Sequence, residues 1–195
     1  MEESRGGFFL EKFIVTLKRV LLEPLKFFEN LQPGGPYSKP LAYACLVELS
    51  MAAISAVIWG GIFAGFILGG HSHLGVLGAK LHILSLFIGL LILVISIFGA
   101  SFAYYIGALI CGARSDYRAI FRMYAYTESA VIFRLIPLIG GVVAEIYRGV
   151  LLYFGFKAVS RLGSLQAFLC AVAPGLILLS LIAICGFSFY QYLWK

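Results

Sequence analysis

Residues 81–113 read LHILSLFIGL LILVISIFGA SFAYYIGALI CGA, thirty-three positions without a lysine, arginine, aspartate or glutamate. A helix that crosses a bilayer needs about 20 mostly apolar residues, so this run exceeds one perpendicular crossing. It reads as a span over about 82–111 that is tilted or begins late. The whole chain agrees with this stretch. Of its 195 residues, 62% are hydrophobic and 12% charged, against about 45–50% and about 25% in a soluble domain. The fold expected is therefore an all-α integral membrane protein with about five transmembrane helices and an N-terminal amphipathic interfacial helix.

Towards the N-terminus, a first span is expected over about 41–68, free of charge from Leu49 to Gly70. Ala52, Ala56, Gly60 and Ala64 place small side chains four apart, which lets helices approach closely in lipid. The 82–111 span has its own stripe, Gly99, Ala103, Gly107 and Cys111, so the two spans are expected to pack together. Between them a Gly/His/Ser loop carries His71 and His73. Their H-x-H spacing is a weak metal pattern with no cysteine or carboxylate nearby, and an exposed polar loop is the plainer reading.

Earlier still, Leu10, Phe13, Ile14, Leu17, Val20, Leu21, Leu25 and Phe28 recur at helical spacing with Lys12, Lys18, Arg19 and Lys26 between them. Such a helix suits the headgroup plane of anionic lipid, or else the surface of the protein. Pro24 should break it in two. A Pro/Gly linker over 32–40 follows, dividing the chain into a cytosolic segment 1–40 and a membrane domain 41–195.

Beyond residue 113, two short helices are expected over about 123–136 and 138–156. They form a hairpin bent at Pro137, Gly140 and Gly141 that either just crosses the membrane or re-enters. A last span covers about 168–193, with Tyr190, Tyr192 and Trp194 as an interfacial anchor.

The formal charge of +6 flanks apolar runs and forms no patch with interleaved aromatics, so it sets topology and excludes nucleic acid as the expected partner. Eleven of the fifteen Lys and Arg fall on one side of the proposed spans, which puts the N-terminus in the cytosol and the C-terminus outside. Cys45, Cys111, Cys170 and Cys185 stand singly in apolar runs, as packing residues do. Glu11, Lys12, Lys18 and Arg19 interrupt the first apolar stretch, which argues against a signal peptide.

The order of short motifs adds a resemblance. Glu23-Pro24-Leu25-Lys26-Phe27-Phe28 before the linker, Ile136-Pro137-Leu138-Ile139-Gly140-Gly141, Gly155-Phe156-Lys157, Ser164 and Pro174 together resemble the bacterial branch of the Yip1 domain family. That resemblance implies five spans, a cytosolic N-terminus and a bacterial inner membrane. It implies no biochemical activity.

Ionisable residues inside a membrane are costly and are candidates for function, although pairing is their commoner fate. Arg134 and Glu145 are equally far from a bend at Ile139–Gly140. Arg148 is one turn after Glu145, and Glu128 one level deeper on the partner arm. These four sum to zero charge. Glu48, roughly 10 Å into the first span, has no cation nearby in sequence and is expected to snorkel, to meet Arg148, or to protonate. H-E-x-x-H, G-x-S-x-G, G-x-x-x-x-G-K-[ST] and G-x-G-x-x-G are all absent, so neither catalysis nor a cofactor is expected. Two functions remain: binding of lipid or a membrane partner, with homo-oligomerisation expected, or a small transporter or channel built on these charges.

Overall fold

A computed structural model describes the backbone of residues 3–32, 34–67 and 72–193, and the side chains of 11–32, 34–55, 87–175, 180, 184, 187 and 191. Among the described residues the regular structure is all helical. In chain order the helices are α1 (Glu3–Leu22), α2 (Pro24–Glu29), α3 (Ser38–Ile67), α4 (Ser72–Ile110), α5 (Tyr117–Thr127), a 3₁₀ helix (Glu128–Leu135), α6 (Gly140–Val159) and α7 (Ser164–Leu193).

Among the described residues one segment is long and apolar enough to cross a membrane, Phe87–Ile110 of α4, whose 24 residues have a mean hydropathy of 2.3. Only 11% of that window is buried inside the protein. Phe87, Leu91, Ile92, Ile95 and Phe102 point away from the chain, the arrangement expected where lipid and not protein covers the helix. α4 is closed just beyond Ile110 by Gly112, whose φ of +83° is left-handed. The Ala113 amide reaches back to the Ala108 carbonyl at 2.9 Å and the Gly112 amide to Leu109 at 3.0 Å, a glycine-closed C-terminus.

Two boundaries differ from the sequence reading. α4 is already helical at Ser72, so His73 lies in a helix and not in an extended loop; His71 lies outside the described residues, as do the side chains of His73, Ala56, Gly60 and Ala64. α3 begins at Ser38, because Pro40 falls in its first turn, where a missing amide hydrogen costs nothing.

The expected α3–α4 seam is also different. The two helices touch, but Gly99 and Ala103 are exposed, and a Cβ added to Gly99 or Gly107 would meet nothing within 4 Å among the described residues. α4 buries Ile97, Ser101 and Ala108 instead. The Gly107–Cys111 turn faces α7, where Cys170 Sγ lies 3.7 Å from the Gly107 carbonyl and Gln166 donates to the Cys111 carbonyl at 3.2 Å.

At the centre lies α5, with Ala119, Ile120, Phe121, Met123 and Ala125 all buried. Aromatic rings join it to its neighbours: Phe98–Phe121 at 4.7 Å, Tyr37–Phe121 at 4.9 Å, Phe27–Tyr126 at 4.9 Å and Tyr104–Tyr124 at 5.4 Å. Gly155 lets α6 approach closely, since a Cβ there would strike Met123. Pro24 starts α2 as expected of its ring, and α1 and α2 pack inward through Val20 and Phe28, which share one buried cluster with α4, α5, α6 and α7. Tyr147 of α6 donates a hydrogen bond to the Leu21 carbonyl.

Candidate functional site

The hairpin is built by a change in winding. The sequence predicts one α-helix over 123–136; the structure has α5 from Tyr117, then a 3₁₀ turn run from Glu128. The cause is local. Thr127 Oγ1 donates to the Tyr124 carbonyl at 2.7 Å and Ser129 Oγ to Tyr126 at 2.8 Å, both three residues back, and such bonds compete with the α-helical ladder. Eight residues is long for a 3₁₀ helix, a length associated with hinges and strain.

The turn that follows has Leu138 at φ +66° and fully exposed, with the Gly140 amide bonded to the Ile136 carbonyl at 3.0 Å. Gly140 is required by close approach: its added Cβ would run into the Phe133 carbonyl oxygen and the Arg134 backbone. Gly141 has open space. Pro137 sits in the connection between the arms, where no helical bond needs its nitrogen.

Around this turn five charged side chains form one chain of ion pairs. Glu48 Oε1 lies 3.9 Å from Arg134 Nη1, and Arg134 Nη2 lies 3.0 Å from Glu145 Oε1. Glu145 Oε2 lies 3.2 Å from Arg148 Nη1, and Arg148 Nη2 lies 2.8 Å from Glu128 Oε2. Glu48 therefore meets Arg134 and not Arg148. The reason is register: α3 runs beside the 3₁₀ arm, with Tyr43 Oη 2.6 Å from Ser129 Oγ and Val47 packed with Val131, so Glu48 is carried up to Arg134. Because Ser129 gives its proton to Tyr126, Tyr43 is the donor of their bond.

The chain has a closed end and an open end. Glu128 is 5% and Arg148 16% exposed, whereas Arg134 and Glu145 are about half exposed, 47% and 55%. Three carboxylates against two guanidiniums leave a formal charge of −1. A cavity of about 480 Å³ opens on this excess, lined by Glu48, Glu128, Arg134 and Arg148 and by Leu93 and Ser96 of α4. A second, about 830 Å³ and mainly apolar, lies between α4 and α7 and reaches Glu145 and Arg148. Among the described residues no cluster of three His, Cys, Asp or Glu is placed to hold a metal.

With this geometry in place, the chain matches the family model described as Yip1 domain over residues 18–185. It belongs to the Yip1 domain family. No curated protein and no solved structure matches it. The Yip1 match takes in α2 through most of α7, and so includes every member of the ion-pair chain.

One residue escaped the sequence reading. Arg122, one of the eleven basic residues counted on the cytosolic side by lying in the loop after the 82–111 span, is in α5 and only 7% exposed. The signal was available: the positions three and four away are Arg118, Ala119, Ala125 and Tyr126, so no helical neighbour can neutralise it.

Proposed function

We propose that this Yip1-domain protein is a non-enzymatic, five-segment protein of a bacterial inner membrane that works by binding at the cytosolic lipid surface. α3, α4 and α7 are the long segments. The arms of the hairpin supply the short ones: α5 plus the 3₁₀ helix is about 32 Å long, and α6 about 30 Å, close to the hydrocarbon thickness of about 30 Å. With Arg122 set aside as buried in α5, ten Lys and Arg remain on the N-terminal side and orient the chain.

The observation that carries the binding reading is the surface of α1. Phe13 packs on Tyr43 with ring centres 5.6 Å apart and Val20 is buried, while Ile14, Val15 and Leu22 stay exposed beside Lys18 and Arg19. A helix docked on the bundle with apolar and basic side chains still uncovered suits an anionic headgroup layer. The test is depth: a fluorophore on Val15→Cys in proteoliposomes should be quenched by lipid-attached quenchers and protected from aqueous iodide. Full access to iodide would refute the reading.

A second reading is favoured by the 480 Å³ cavity on Glu48 and Glu128. In it, these charges line a path for a small cation near mid-membrane. Proteoliposome flux that depends on Glu48 and is lost in Glu48→Gln would support it; no flux across a panel of ions would remove it.

A further inference from the structure

Cations inside this bundle fall into two kinds. Arg134 and Arg148 are answered by carboxylates, as described above. Arg122 is not. Its Nε and Nη1 are buried without a hydrogen-bond partner, and among the described residues no carboxylate forms an ion pair with it. Arg148 Nε is also unpartnered, but the other two nitrogens of that side chain are engaged. A buried guanidinium with two nitrogens lacking an acceptor is unfavourable unless an anion meets them.

The surroundings of Arg122 are suited to one. Its guanidinium lies against Gly35 of the linker, where any Cβ would overlap it. It borders a cavity of about 630 Å³ between α1–α2 and α5, lined also by Arg19, Glu23, Lys26, Asn30 and Tyr126. Three cations and one carboxylate give this lining a formal charge of +2. Glu23 holds Lys26 at 3.2 Å, but both side chains are well exposed, 58% and 75%, and such a pair is weak and easily exchanged. The rings of Phe27 and Tyr126, in contact at 4.9 Å, form one wall of the cavity, and a planar guanidinium fork matches two phosphate oxygens.

We propose that the cleft between α1–α2 and α5 binds a phosphate group, with Arg122 as the buried anchor and Arg19 and Lys26 closing over it from the rim. The proposal deepens the lipid-surface reading and rests on it for the position of the cleft. A phospholipid headgroup and free phosphate share this chemistry.

The test uses the full-length protein in an uncharged detergent, followed by thermal unfolding and native mass spectrometry with inorganic phosphate, phosphatidic acid or phosphatidylcholine. Phosphatidic acid should raise the melting temperature and remain bound, and phosphatidylcholine should do neither. An equal rise with inorganic phosphate assigns the site to free phosphate; a rise with the lipid alone assigns it to a headgroup. Arg122→Gln should weaken retention roughly tenfold, as loss of a charge-assisted fork contact does, and Arg122→Lys should restore part of it. If Arg122→Gln does not fold, the exposed pair Arg19→Gln with Lys26→Gln gives the same readout with a smaller loss. Unchanged retention in every folded variant, or no effect of either phosphate, overturns the proposal. The Val15 quenching result is independent of Arg122, so the cleft can fail while the lipid-surface reading stands.

Discussion

α4 and α5 lie against each other and obey opposite rules. α4 is 39 residues long and apolar, yet over its described side chains, from Phe87 on, it turns most of its large ones outward; α5 is 11 residues long and carries Arg118, Arg122 and three tyrosines, yet eight of its residues are buried, Arg122 among them. In water the first would be the core and the second the surface. The inversion shows what holds this protein together: van der Waals contact between rings and close helix approach at Gly155, with the apolar outer face left to lipid.

The largest test of that contrast is a pair of truncations. Phe121→Ala should cost about 3–5 kcal/mol, as a buried phenylalanine does, while Ile95→Ala on the outer face of α4 should stay within about 0.5 kcal/mol, both by denaturant titration in mixed micelles. Equal losses would break the comparison. The closed end of the charge chain comes next. Arg148→Ala strands Glu128 and should cost about 3 kcal/mol, read in the same titration.

Backbone follows. Gly140→Ala should lower stability by about 1–3 kcal/mol because its methyl group meets the Phe133 carbonyl, whereas Gly141→Ala should be neutral or mildly stabilising in a helix. If the two variants melt alike, close approach is not what places glycine in the turn.

The smallest effect is expected at the open end. A buried pair broken by removing one partner costs about 3–5 kcal/mol; with both side chains about half exposed, the coupling of Arg134 and Glu145 in a double-mutant cycle should be only about 0.5–1 kcal/mol. Exchanging the two residues should recover part of it. Additive single effects would mean that the pair contributes nothing.

What the sequence reveals here depends on how local the cause is. Pro24, the bend between Pro137 and Gly141, and the equal spacing of Arg134 and Glu145 from that bend are properties of neighbouring residues and can be read directly. The partner of Glu48 cannot, because it depends on Tyr43 meeting Ser129, 86 positions away. Hydroxyls at Thr127 and Ser129 tighten the helix without changing its hydrophobic pattern, so the 3₁₀ segment is invisible to periodicity. The small-residue stripe of α4 misleads for a related reason: glycine and alanine permit close packing but do not require a neighbour. Gly99 and Ala103 are exposed among the described residues, and light scattering in several mild detergents tests whether the homo-oligomer expected from the sequence forms.

The 3₁₀ arm has one more consequence, which concerns rotation. Each residue turns about 120° in a 3₁₀ helix and about 100° in an α-helix. Between Glu128 and Arg134 there are six steps, so rewinding that stretch to α would swing Arg134 by about 120° and draw it about 3 Å towards α5. Glu48 and Glu145 would lose their shared partner together. The pitch of these eight residues thus decides whether one guanidinium can bridge Glu48 of α3 and Glu145 of α6 at the same time.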